Sequence, residues 1–281
     1  MRSSERCFEC GLRQCVKIAV LTGNQAKLPE LLSYLRGLGK ELDLNEPPGT
    51  YTSWLLLATM KFLKEPDPFK KTKSEQNRHA QELAAQLEQQ LGEGDDALKR
   101  ALLLSAAGNV IDVGPERSFD INQFLSSHRF TIDHTDRLLA RLKRAQRIVY
   151  LLDNSGEVLF DRLVLKRLPK VAITIVAKSS PILNDVTVEE AKVLGLEEFG
   201  RVIGTGSPFL GVDLKTVSKE FRQVYSQADL VIAKGHANFE SLVDEGRDGY
   251  YVLTAKCELV ANRLGIGVGE SVCYYSRGKG E

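Results

Sequence analysis

The chain has 281 residues, room for one large domain or two smaller ones, and its 43% hydrophobic and 27% charged residues are the balance of a soluble globular protein. A formal net charge of +1 gives no electrostatic reason to expect nucleic acid or an anionic membrane as partner. No apolar run reaches the roughly 20 residues of a membrane span, and the polar opening MRSSERCFECGLRQC lacks the apolar core of a secretory signal, so the expectation is a soluble cytoplasmic protein.

From Val16 to about Arg144 the pattern predicts helices. Leu28 to Leu38 opens with Pro29, which suits a first helical turn. Thr50 to Leu63 carries a broad apolar face with Trp54 and Met60, read as core packing. After the turn at Pro66-Asp67-Pro68, Lys73 to Leu91 is rich in helix formers. Asp95 or Asp96 is placed to cap a helix over Ala97 to Ala107. Phe119 to Leu125 and Asp133 to Arg144 are further short helices. Of five cysteines, Cys7 and Cys10 have the spacing of half a zinc site or a redox pair, without the second pair that a closed site requires. The plainer reading is two thiols buried in a first helix, with Cys257 and Cys273 as core residues. The odd count argues against a disulfide framework.

From Ala145 strand-like runs alternate with amphipathic segments, the signature of βα units and a parallel sheet. The predicted strands are Ile148 to Leu152, Val171 to Val176, Arg201 to Ile203, Leu230 to Ala233 and Tyr250 to Leu253. The fold class is therefore α/β: a Rossmann-like three-layer domain with a mostly parallel sheet over residues 145–281, preceded by an all-helical region over 1–144. The tail from Ser276 is expected to fray.

In a parallel sheet the loops after successive strands emerge on one edge, where ligands bind. Asp153-Asn154-Ser155-Gly156-Glu157 follows the first strand. Lys178 and then Asn184-Asp185-Val186-Thr187 follow the second, Gly204-Thr205-Gly206-Ser207 the third. Lys234-Gly235-His236-Ala237-Asn238 follows the fourth, and Lys256-Cys257 the fifth. Carboxylate and amide oxygens are hard ligands for a divalent cation, and a lysine with Gly-rich turns suits phosphoryl oxygens. Taken alone, Asp153-Asn154 is more often a turn or cap, and Asn184-Asp185 is equally placed to cap a helix. The Gly-rich turn lacks a full dinucleotide fingerprint, and Lys234-Gly235 lacks a P-loop context. Their recurrence at successive strand ends is what favours a shared site. The four histidines show no metal-ligand spacing; His236 alone falls in a site loop.

DNSGE (Asp153 to Glu157) with FDRL, PILNDVT (Pro181 to Thr187), KGHANFE (Lys234 to Glu240) and AKCELVANRLG (Ala255 to Gly265) together resemble the damage-control phosphatase family, formerly domain of unknown function 89. The DPF segment with Lys73 and Asn77, and GNVIDVG (Gly108 to Gly114), extend the likeness into the helical half, and the Cys7-x-x-Cys10 pair resembles its small, mostly archaeal branch. The resemblance implies a metal-dependent phosphatase acting on a small phosphorylated metabolite, with Mg, Mn, Co or Ni held by Asp153, Asn154 and Asp185. It implies a phosphate-facing Lys234, with Gly235, Asn238 and Glu240 shaping that loop, Gly156, Glu157 and Lys178 on the substrate side, and Asn109 and Asp112 closing the pocket from the helical half. Ala237 and Ser155 stand where the family more often has glycine and alanine, which bears on local substrate shape. The competing classes are a nucleotide-binding α/β enzyme on the same sheet edge and a non-catalytic binding protein.

Overall fold

A computed structural model describes residues 1–108 and 121–278, without the side chains of Ile121 and Asn122. Helices α1 (Glu5–Leu21), α2 (Leu28–Gly39) and α3 (Pro48–Leu63) pack on one another around fully buried Cys15, Ile18, Leu31, Leu35, Leu55 and Leu56. The broad apolar face of α3 divides. Met60 is buried, but Trp54 is 47% exposed and rests on Phe209 with ring centroids 4.9 Å apart. Position 54 shares a helical stripe with exposed Lys61, turned away from the packed 51, 55, 59 side.

Then come α4 (Lys70–Leu91), α5 (Asp95–Ala107) and α6 (Ile121–Ser127). The cap of α5 differs from expectation. Gly94, at φ 86, occupies the N-cap, and Asp95 and Asp96 fall in the first turn, where their charge opposes the helix dipole's positive end. The remaining elements are β1 (Phe130–Asp133), α7 (Thr135–Leu142), β2 (Arg147–Leu151), α8 (Glu157–Leu165), β3 (Ala172–Ala177), α9 (Val188–Val193), β4 (Arg201–Gly204), α10 (Lys219–Gln227), β5 (Leu230–Lys234), α11 (His236–Leu242), β6 (Gly249–Thr254), α12 (Glu258–Leu264) and β7 (Ser271–Ser276).

Among the described residues these strands form one sheet in the order β1-β7-β6-β5-β2-β3-β4. All pairings are parallel except β6 with β7. The five predicted strands appear within a residue or two of their expected bounds. The sequence reading missed β1 and β7. The strand β1 lies inside the segment expected to be all-helical, and β7 runs up to Ser276, where a frayed tail was expected to begin. Both are legible only through their partners, since β7 is an antiparallel return on β6 and β1 a four-residue edge strand on β7. No helix among the described residues is long and apolar enough to cross a membrane.

Alternation along β2 shows how the layers form. Ile148 and Tyr150 face a core built with α4, α5, α7 and α8, while Val149 and Leu151 face a second core built with α10, α11 and α12. Each such aliphatic side chain, once fully buried, contributes about 2 kcal/mol. The chain winds outward in opposite directions from β2, with β3 on one side and β5 on the other. This is a topological switch point, and the crevice it leaves lies beyond the carboxyl ends of β2 and β5.

Candidate active site

The chain leaving β2 stays extended and pairs with the loop after β3. Val186 N–H donates to Asp153 O at 2.9 Å, Ser155 N–H donates to Asn184 O at 2.8 Å, and Asn154 and Asp185 form an isolated antiparallel bridge. Two segments about thirty residues apart in sequence thereby bring Asp153, Asn154 and Asp185 together. Neither Asp153-Asn154 nor Asn184-Asp185 is spent on capping. Gly156, at φ 81, is the N-cap of α8 and no side chain caps that helix. Thr187 caps α9 in a reciprocal box with Glu190, whose N–H donates to Thr187 Oγ1 at 3.3 Å while Thr187 N–H donates to Glu190 Oε2 at 2.9 Å.

All three side chains are buried. Burial, and then the charge of Asp185, push the Asp153 carboxyl up to about 6. Burial raises Asp185 to about 6 as well, against the pull of Lys178 and Lys256. Asp185 Oδ2 receives no hydrogen bond; Lys178 Nζ stands 3.6 Å away and donates to Gly211 O instead. Asn154 Nδ2 donates to Asp153 Oδ2 at 2.6 Å, which leaves its amide oxygen as an acceptor beside the carboxylates. Gly235, at φ 79, passes so close that a Cβ there would lie 2.0 Å from Asp153 Oδ2. Two under-neutralised carboxylates and an amide oxygen are a hard-donor set that fits a divalent cation of the Mg or Mn type.

Behind this group lies a second buried cluster. Lys234 Nζ is fully buried and donates to Glu157 Oε1 at 2.6 Å, Asp161 Oδ1 at 2.9 Å and Ser105 O at 3.2 Å. Tyr150 Oη donates to the same Asp161 oxygen at 2.8 Å, and Ser105 Oγ also donates to it. An ammonium has three protons, and here each has an acceptor within the protein. The expectation of a phosphate-facing Lys234 therefore meets a lysine whose donors are committed. Its carboxylate partners, Asp161 foremost, raise its pKa. Glu157, pushed up to about 7 mainly by burial, lines the boundary between the two clusters.

Lys256 is the exposed cation whose charge acts on Asp153, Glu157 and Asp185 together. It follows β6, and its backbone N–H donates to His236 Nε2 at 2.8 Å. In the sequence it was one more residue after a strand; only the sheet order reveals what it faces. Other expected contributors have protein partners. Asn238 Nδ2 donates to Leu152 O at 3.0 Å and Lys234 O at 2.8 Å, bracing the ends of β2 and β5. The 204–207 turn has little to offer an anion, because Thr205 N–H goes to Ala177 O and Gly206 N–H to Ser179 Oγ. Gly156 N–H donates to Asn77 Oδ1 at 2.6 Å, which ties the helical half to the site. Lys73 is buried between Asp67 at 3.0 Å and Glu190 at 2.9 Å. Asn109 and Asp112 lie outside the described residues. A groove of about 940 Å³ along α2, lined by Pro29, Ser33, Tyr34 and Leu38 among others, shares no residue with this constellation and lacks its convergent charge.

The family model for the damage-control phosphatase ARMT1-like domain matches residues 3–272. A damage-control phosphatase of Pyrococcus horikoshii is 33% identical over 290 residues, spanning 99% of this chain and 100% of its own length. Another, from Archaeoglobus fulgidus, is 30% identical over 217 residues, 73% of this chain and 75% of its own. The crystal structure of a DUF89 family protein from P. horikoshii matches with a TM-score of 0.89 at 32% identity, over 99% of this chain and 100% of the other. Sequence and fold agree over nearly the whole length, and the chain belongs to the damage-control phosphatase ARMT1-like family.

Proposed function

We propose that this phosphatase-family chain is a metal-dependent phosphomonoester hydrolase acting on small phosphorylated metabolites, damaged or side-product phosphoesters among them. The observation that carries the reading is the buried pair Asp153 and Asp185 with the Asn154 amide beside them, both carboxyls raised to about 6 first by burial. Asp153, Asn154 and Asp185 would hold a divalent cation such as Mg, Mn, Co or Ni. Bound there, it supplies Lewis-acid polarisation of a phosphoryl group. Lys256, exposed at the mouth, and Lys178 beside Asp185 orient the phosphoryl oxygens and stabilise their charge. Lys234 balances Glu157 and Asp161 and holds the floor of the site electrostatically in place. Gly156, Gly235 and Asn238 fix the backbone around it, and Asn109 and Asp112 are proposed to meet the substrate from the helical half.

The test is a broad phosphoester panel with Mg²⁺, Mn²⁺, Co²⁺ or Ni²⁺, run beside Asp153→Ala. Metal-dependent phosphate release that falls at least 100-fold in the variant is expected. Activity undiminished in Asp153→Ala would remove the metal assignment.

A further inference from the structure

A second set of metal-type donors gathers next to the carboxylate site and takes no part in it. His236 opens α11 and Glu240 follows one turn later on the same face, with His236 Nδ1 3.6 Å from Glu240 Oε1. Cys257 comes from the other side of the β6 return. A His236 ring nitrogen, a Glu240 carboxylate oxygen and Cys257 Sγ all lie within 4.8 Å of one another. The side chains of His236 and Glu240 are only 15% and 10% exposed. The N-terminal helix passes beside the same place and carries Cys7, whose Sγ accepts the Ser4 N–H at 3.4 Å and lies 3.5 Å from Ser4 Oγ. Arg6 and Glu258, the neighbours of Cys7 and Cys257, form an ion pair. The Met1 amino group donates to Glu240 O at 2.7 Å. Burial first, and then the charges of Glu240 and Cys7, raise the Cys257 thiol. Cys10, one turn further along α1, is exposed.

We propose that His236, Glu240, Cys257 and Cys7 form a second cation site, separate from Asp153 and Asp185, for a thiophilic divalent ion of the zinc class. The donor chemistry separates the two sites. Thiolate and imidazole prefer zinc, whereas the carboxylate and amide oxygens at Asp153, Asn154 and Asp185 prefer harder ions. Tetrahedral zinc holds its ligand atoms about 3.5 Å apart, so the donors of His236, Glu240 and Cys257 need to contract by about 1 Å and the Cys7 side chain to turn from Ser4 toward them. The site also completes the Cys7-x-x-Cys10 half-motif in an unexpected way, with Cys7 finding its partners across the fold and Cys10 left out. Filling it has two local costs, the first being the Ser4 N–H that Cys7 Sγ now accepts at 3.4 Å. His236 Nε2 now accepts the Lys256 N–H at 2.8 Å, and ligation through either ring nitrogen removes that acceptor, because a ring bound through Nδ1 carries its proton on Nε2. Two backbone hydrogen bonds are small beside two thiolate–zinc bonds. The site lies between α1 and the two short helices α11 and α12, so a bound ion would pin the N-terminal helix beside the loop that carries Lys256.

The experiment uses the full chain, stripped of metal, with Asp153→Asn and Asp185→Asn introduced to silence the first site, titrated with Co²⁺ and then Zn²⁺. One equivalent of cobalt should give a thiolate-to-cobalt charge-transfer absorption that zinc displaces. Affinity should fall at least 100-fold in Cys257→Ser and at least 10-fold in Cys7→Ser and Glu240→Gln, each checked for native circular dichroism. Wild-type protein provides a reading free of folding effects: zinc should shield Cys7 and Cys257 from alkylation and leave Cys10 reactive. Absence of the absorption band, its persistence in Cys257→Ser, or shielding of Cys10 in place of Cys257 would each overturn the proposal.

Discussion

Two buried charge clusters stand one behind the other at the end of β2, and they are built on opposite plans. Around Lys234, every ammonium proton has an acceptor, and the carboxylates of Glu157 and Asp161 are matched by a cation in direct contact. Around Asp153 and Asp185, two carboxylates face each other with Lys178 in a looser ion pair 3.6 Å from Asp185 Oδ2, an oxygen that has no hydrogen-bond donor. The first cluster holds its cation in direct hydrogen-bonded contact, although Asp161 Oδ2, like Asp185 Oδ2, has no donor. The second holds two carboxylates against one loosely paired lysine in a low-dielectric place, where a further counter-charge would be favourable. This difference, more than burial or residue type, is what sets the proposed binding site apart from the ion cluster behind it, since both clusters are buried and both contain Asp and Lys.

Breaking the Lys234 cluster should have the largest effect. Lys234→Met leaves two carboxylates buried without their cation and should cost about 3–5 kcal/mol of stability, read as a lower urea midpoint with an unchanged slope. A loss below about 1 kcal/mol would show that Glu157 and Asp161 do not need the ammonium.

The cluster of Asp153 and Asp185 should show itself through pH. Asp153 and Asp185 rise from 3.8 to about 6, and Glu157 from 4.5 to about 7, so the folded metal-free protein binds more protons than the unfolded chain between those values. Their contribution to stability is full below about pH 4 and is lost as pH climbs through 6 to 7, in total on the order of a few kcal/mol. The exposed or half-exposed Asp43, Asp229, Asp244 and Asp248 are lowered instead and act with the opposite sign below pH 4. Thermal melts of the stripped protein at pH 5 and pH 7.5 should therefore favour pH 5, and saturating Mg²⁺ or Mn²⁺ should narrow the gap. A metal-free protein that gains stability over that interval would contradict the comparison.

The smallest expected effect falls at the mouth. Lys256→Met should raise KM for a phosphoester about tenfold, near 1.4 kcal/mol, while Lys256→Arg restores most of it. Unfolding midpoints should barely move, because the side chain is exposed.

The sequence carried the alternation of strands and helices, and with it the α/β class, because burial on both sheet faces writes continuous apolar runs at β2, β3, β5 and β6. It also carried the candidates at the strand ends, and the DNSGE and NDVT motifs singled out Asp153, Asn154 and Asp185 before any geometry. It did not carry β1 and β7, whose short and partly polar strands exist through pairing rather than pattern. Nor did it distinguish Lys234 from Lys256. Both are lysines after strands, and the roles divide only when β5 is set in the middle of the sheet beside β2, with Lys234 turned onto the Asp161 layer, while β6 delivers Lys256 to the open edge. Local sequence sets what a residue offers. The order of strands decides which charges meet, because Coulomb energies depend on distances that only the assembled sheet fixes. The same holds for Cys7. Its spacing to Cys10 is local, whereas the far end of the chain is brought beside its helix by tertiary packing, as the ion pair of its neighbour Arg6 with Glu258 shows.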